Sequence, residues 1–238
     1  MNLPSGTVFA VGPGVPHVAV GERVAYGISN GRGSYAELAA VPAWHLFRLP
    51  DGVDFETAGA VMQQGMTAHY LLRRTYKVQP GDTVLIYAAA GGVGLILCQW
   101  AKHLGATVIG CIGSDKKAEL AQAHGCDHAI LYNQESVPDR VREITGGEGA
   151  AVAYDSIGKD TFEASLDSLR PFGVMVSFGN ASGKVEPFSP AILAPKGSLY
   201  VTRPTLATHT ATRALLLEGA DALFDVVLDG HVRIGIGQ

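Results

Sequence analysis

Between an apolar run at Val84–Tyr87 and a helical run at Leu95–Leu104 the chain carries Ala89-Ala90-Gly91-Gly92-Val93-Gly94. Residues this small, in this spacing, suit one kind of chemistry, the close approach of backbone to a pyrophosphate. A small first residue permits the tight turn, Gly91 lets the backbone come near the phosphates, and Gly94 allows the helix to pack closely on the strand. The amino end of the helix then offers N–H donors and the positive end of its dipole. Ala90, Gly91, Gly92 and Val93 are therefore candidate cofactor contacts. Glycine-rich turns are common, and it is the strand-turn-helix setting that points to a dinucleotide.

The end of the next strand discriminates between cofactors. An acidic side chain there binds the ribose 2′-hydroxyl of NAD, whereas a small residue beside a cation suits the 2′-phosphate of NADP. Val108–Ile112 ends in Gly113-Ser114, followed by Asp115, Lys116 and Lys117. Ser114 can hydrogen-bond a phosphate, and Lys117 lies one turn into the helix, within reach of it. Asp115 argues the other way, or caps the helix, and either lysine alone reads as a solvated helix face. Tyr132 ends the third strand near the same edge, where it either meets the adenine or phosphate or packs on the sheet. The fourth strand ends in Asp155-Ser156-Ile157-Gly158 and the fifth in Ser177-Phe178-Gly179-Asn180. Carboxyl ends of parallel strands line the ligand crevice, which adds Ser156, Phe178 and Gly179 as contacts and leaves Asp155 to order its loop.

Other chemistries find little support. The eight histidines are scattered without ligand spacing, so no metal is assigned, and no Gly-x-Ser-x-Gly turn marks a hydrolase. Cys98, Cys111 and Cys126 are isolated and read as reduced, buried thiols. With 238 residues, 47% of them hydrophobic, 17% charged and a net charge of −4, the chain belongs with folded globular proteins. It has no basic block, which argues against nucleic acid and anionic membranes as partners and leaves a small molecule. No run is long enough to span a bilayer and no leader is evident, so a cytoplasmic location is expected.

These residues need elements to hold them. From Asn2 to about Pro50, glycine and proline punctuate short β-branched runs such as Thr7–Val11 and Arg23–Tyr26, an all-β unit too short for a complete barrel. Apolar residues at helical spacing from Phe55 to Thr75, with Asp54 as N-cap, predict a helix bridging two domains. From Asp82 onward strands alternate with helices, and six strands are expected: Thr83–Tyr87, Thr107–Ile112, His128–Tyr132, Ala151–Asp155, Val174–Phe178 and Ser198–Thr202. That rhythm means right-handed βαβ units in a doubly wound parallel sheet, an α/β Rossmann fold. Thr208–Leu228 predicts one more amphipathic helix, and Val232–Gly237 the start of a strand.

Several segments together resemble zinc-independent NADPH:quinone oxidoreductases, the zeta-crystallin-like members of the medium-chain dehydrogenase/reductase superfamily. They are the Ala88–Gly94 turn, Gln99-Trp100-Ala101-Lys102, Tyr154–Gly158, Val176–Asn180, Gln64–Leu72 and Gly197–Pro204. The resemblance covers nearly the whole chain from Val11. It implies that Thr67 and the Gly92-Val93 turn contact NADP(H), that Gly113, Ser114, Lys117 and Tyr132 surround its 2′-phosphate, and that the Phe178-Gly179 loop lies on the nicotinamide side. It further implies hydride transfer to a quinone, enone or similar electron-poor alkene or carbonyl, and a homodimer paired through the Ser198–Thr202 edge. By the same resemblance, relatives are expected to begin with several dozen further residues of a GroES-like barrel and to continue into a last barrel strand and helix, so the sequence is expected to be shortened at both ends. The expected domains are thus a partial GroES-like unit over 1–62, a Rossmann domain over 63–204 and a returning segment over 205–238. A chain so shortened is expected to bind NADPH and turn over poorly, with a non-catalytic, crystallin-like binding protein as the alternative.

Overall fold

Val8, Val18, Val24, Tyr26 and Leu46 come from runs too short to form a sheet of any size, yet they converge on one small core. They do so in a computed structural model that describes residues 5–27 and 36–235. Strands β1 (Ser5–Thr7), β2 (Arg23–Ala25) and β3 (Phe47–Arg48) form an antiparallel sheet in the order β1-β2-β3. The first strand is shorter than the expected Thr7–Val11 run, since Val8 leaves the ladder to exchange backbone bonds with Glu22 and Gly21. Helix α1 (Phe55–Tyr70) follows. The Asp54 carboxylate caps it by accepting the Thr57 N–H at 2.6 Å and its hydroxyl at 3.1 Å.

The chain divides into two compact units, Met1–Tyr70 with Leu206–Gln238, and Leu71–Thr205. The expected division at 62/63 thus falls inside α1. The second unit opens on a π-helical turn, Leu71–Thr75, closed by the Tyr76 N–H on the Leu71 carbonyl at 3.2 Å.

The strands of the second unit are β4 (Thr83–Tyr87), β5 (Thr107–Ile112), β6 (His128–Leu131), β7 (Ala150–Asp155), β8 (Leu169–Ser177) and β9 (Tyr200–Thr202). The connecting helices are α2 (Gly92–His103), α3 (Asp115–Gln122), α4 (Val137–Ile144) and α5 (Phe162–Asp167). The strand order is β6-β5-β4-β7-β8-β9, with every neighbour parallel. The sheet is therefore the doubly wound parallel fold expected of a dinucleotide-binding domain, reversing its winding between β4 and β7. Leu85, Ile109, Ile130, Ala153, Phe162, Leu166 and Met175 fill one face of it. Cys98, Cys111 and Cys126 are free and buried. Burial pushes the Cys111 thiol above its ordinary pKa.

The tail departs from expectation. Instead of one helix over Thr208–Leu228 there are two, α6 (Leu206–His209) and α7 (Arg213–Leu228). The break falls where the Thr210 hydroxyl turns back to the Leu206 carbonyl at 2.8 Å and the Thr212 side chain accepts from the Leu215 N–H to start the next helix. Helix α7 lies against α1, where a Cβ on Gly219 would stand 2.9 Å from the Met66 Cε and one on Gly65 would stand 2.5 Å from Leu223. The strand expected at Val232–Gly237 is not formed over Val232–Gly235, and its last two residues lie outside those described. Among the described residues no helix is long and apolar enough to cross a membrane.

Candidate functional site

The carboxyl edge of the six-stranded sheet collects the candidate residues in strand order. Tyr132 follows β6, Gly113 and Ser114 follow β5, and the Ala88–Gly94 turn follows β4. Ser156 follows β7, and Phe178 and Gly179 follow β8. Four strand spacings of about 4.8 Å make this row roughly 19 Å long, a length suited to an extended ligand. Thr67 belongs to the other unit, on α1, where its hydroxyl donates to the Gln63 carbonyl at 2.8 Å.

At the centre of the row, Ala88 takes a left-handed conformation (φ 52°) and its carbonyl accepts the Gly91 N–H at 2.8 Å. This swings the chain from strand to helix within four residues. A Cβ on Gly94 would sit 2.2 Å from the Ala88 oxygen, so no other residue fits there without moving the turn. Gly91 is the N-cap and has no side chain to offer. The N–H groups of Gly92, Val93 and Gly94, the first in the helix, donate to no capping side chain, and Gly91 and Gly92 are exposed. These open donors at the positive end of a 12-residue helix fit an anion of the pyrophosphate kind.

On the β5 side, Ser114 caps α3 with its carbonyl, which receives the Lys117 and Ala118 N–H groups at 3.0 Å each, while its hydroxyl takes no part in capping. Asp115 is not the cap but the first residue inside the helix. Ser114 and Lys117 are exposed, and Lys117 enters no ion pair with another described residue. Tyr132 is half exposed, and its hydroxyl lies 3.0 Å from where a Cβ on Gly113 would be, so the phenol reaches over the strand end instead of packing on the sheet. A serine hydroxyl, an ammonium and a phenol at one strand end are a donor set that fits a phosphate.

The β7 and β8 side is built around Asp155. Its buried carboxylate accepts from the Ile157 N–H (2.7 Å), the Gly158 N–H (3.0 Å), the Thr161 hydroxyl (2.7 Å) and the Ser165 hydroxyl (2.9 Å). It is thus the organiser of the loop, and the Ser156 backbone is held as a consequence. A Cβ on Gly179 would stand 2.3 Å from the Ser156 oxygen, so the two loops touch backbone to backbone. The Phe178 N–H donates to the Asp155 carbonyl at 2.8 Å. The peptide that follows, from the Phe178 carbonyl to the Gly179 N–H, has no hydrogen-bond partner among the described residues.

One residue that single-residue reasoning did not select also acts here. Arg203, just past β9, donates to the Ser177 carbonyl at 2.8 Å and the Gly179 carbonyl at 3.0 Å. The sequence gives one local signal, Pro204, which holds the preceding residue extended. Among the described residues no three His, Cys, Asp or Glu side chains come together as metal ligands.

A glycine turn between β4 and α2, under a sheet wound in this order, defines a dinucleotide-binding dehydrogenase domain, and the family model for zinc-binding dehydrogenases matches residues 92–219. A quinone oxidoreductase of Pseudomonas aeruginosa is 51% identical over 234 residues, covering 98% of this chain and 72% of that protein. The crystal structure of Escherichia coli quinone oxidoreductase complexed with NADPH superposes with a TM-score of 0.94 at 45% identity, over 98% of this chain and 71% of that one. That of a 2-haloacrylate reductase does so with a TM-score of 0.92 at 46% identity, over 96% and 72%; a 2-haloacrylate reductase of a Burkholderia species is likewise 46% identical, over 98% of this chain and 71% of that protein. The chain belongs to the quinone oxidoreductase family of the medium-chain dehydrogenase/reductase superfamily.

Proposed function

We propose that the chain binds NADPH along the carboxyl edge of its six-stranded sheet and directs hydride transfer to a quinone or to another alkene or carbonyl made electron-poor by conjugation. The observation that carries this reading is the uncapped amino end of α2 at the end of β4, with Gly94 packed too closely on Ala88 for any larger residue. When bound, the cofactor supplies the hydride.

The chain's own residues bind and orient. Backbone N–H groups of Gly92 and Val93 receive the pyrophosphate, with Ala90 and Gly91 leaving room for it. Gly113, Ser114, Lys117 and Tyr132 receive the 2′-phosphate. Ser156, Phe178 and Gly179 flank the nicotinamide, whose carboxamide matches the one donor and one acceptor of the free 178–179 peptide. Thr67, on α1, is a further cofactor contact by the family resemblance alone. Quinones and 2-haloacrylates, named for the two kinds of relative, share a carbon–carbon double bond conjugated to a carbonyl, which is the acceptor class proposed here. No metal and no general acid are assigned.

NADPH fluorescence titration and 1,4-benzoquinone-dependent NADPH oxidation, run on one preparation, test the reading. Saturable binding with turnover supports it, binding without turnover supports only the cofactor half, and neither would overturn it.

We further propose a homodimer paired through the Ser198–Thr202 segment. Its strand β9 ends the sheet, and Tyr200 stands 60% exposed on it, an edge that association would cover. Light scattering at micromolar concentration should give twice the chain mass, and a monomer there would refute the dimer.

A further inference from the structure

The free peptide at Phe178–Gly179 is useful to a ligand only if its direction is fixed, and the bonds on either side of it lead to one side chain. Arg203 Nη1 donates to the Ser177 carbonyl at 2.8 Å, to the Ser177 hydroxyl at 3.4 Å and to the Gly179 carbonyl at 3.0 Å. With the Asn180 amide turned so that both its groups are satisfied, its oxygen accepts from Arg203 Nη2 at 3.1 Å and its nitrogen donates to the Gly179 carbonyl at 2.7 Å. The planar guanidinium thus clamps the peptides before and after the free one, both carbonyls drawn to the same side. Geometry then leaves the 178–179 peptide with neither its donor nor its acceptor engaged by any described residue.

Arg203 is itself held. It follows β9, whose pairing with β8 runs to Val176–Thr202, and Pro204 keeps its backbone extended. An exposed arginine whose Nη1 and Nη2 donate to carbonyl, hydroxyl and amide oxygens of one turn is a structural brace for that turn. Its value lies in where the turn points. We propose that Arg203 is a positioning residue: by bridging Ser177, Gly179 and Asn180 it sets the direction of the 178–179 peptide and hence the seating of the nicotinamide ring. This rests on the cofactor reading given above.

The test separates the two ends of the cofactor. NADPH emission reports the reduced ring, whereas adenosine 2′,5′-bisphosphate carries only the adenine and phosphate end. In Arg203→Met, NADPH should bind about tenfold more weakly, with its ring emission shifted towards that of free cofactor, while affinity for the bisphosphate stays within about twofold. Arg203→Lys, which can still reach the Ser177 and Gly179 carbonyls, should recover most of the difference. Asn180→Ala, which keeps the clamp on the backbone, should show a smaller shift in the same direction. Equal loss for both ligands in Arg203→Met, or ring emission unchanged from the parent chain, overturns the positioning role. If Arg203→Met does not fold, the lysine and Asn180 variants carry the same comparison. A parent chain that binds neither ligand would instead defeat the cofactor reading, and the role of Arg203 with it.

Discussion

Lys117 and Asp155 are both charged residues at the carboxyl edge of one sheet, and their surroundings give them opposite tasks. Lys117 is exposed and pairs with no described acid, so its ammonium is available to an incoming anion. Replacing it with alanine should weaken NADPH binding by about 1–3 kcal/mol and leave NADH almost unchanged. Titration with both cofactors checks this, and the gap between them should narrow as salt is raised, because the site is open to screening. Asp155 is enclosed and already holds four donors. Asparagine in its place would offer one acceptor and turn an NH2 towards groups that also donate. Asp155→Asn should therefore cost about 1–3 kcal/mol in chemical denaturation, and it should loosen the loop that presents Ser156. Denaturation midpoints equal to the parent's would show that the network contributes nothing.

At the scale of elements, α1 depends on its cap. The Thr57 N–H and then the Thr57 hydroxyl hold the Asp54 carboxyl below its ordinary value of 3.8. Folded chains therefore bind this proton less readily than unfolded ones. The cap's contribution is complete above 3.8 and disappears as pH falls through the lower folded value. Comparing Asp54→Ala with the parent by thermal melting should show a stability difference at about pH 6 that shrinks towards zero at about pH 2. A difference independent of pH would exclude the carboxylate as its source. The same scale shows what could be read from sequence. Strands β4 to β7 are unbroken apolar runs bounded by turn residues, and Gly94 advertises a close approach because its effect is local. Strand β8 is longer than expected, beginning at Leu169, because its pairing with β7 shifts register between Ala150 and Val152 and tolerates Phe172 at φ 62°. Pro171 and Gly173 interrupt the apolar run there, so from sequence this strand begins only at Val174. The break before α7 was hidden for the opposite reason: apolar spacing continues across it, and only the threonine side chains redirect the backbone. The Arg203 clamp joins residues 24 and 26 positions apart, a separation that no motif or periodicity reports.

For the whole molecule, the three thiols offer a clock. Cys98 and Cys126 lie beside the glycine turn and β5, Cys111 within β5, and all are shielded from solvent. A soft electrophile such as iodoacetamide can reach them only while the sheet is transiently open, so the rate of alkylation counts opening events. In the native chain the three should be modified far more slowly than in denaturant. A ligand that binds only the closed form should slow them further, by about a hundredfold at a concentration one hundred times its dissociation constant. Mass spectrometry would follow each thiol separately, so that the protein's own unmodified sulfur atoms become timekeepers of how long the cofactor keeps the sheet shut.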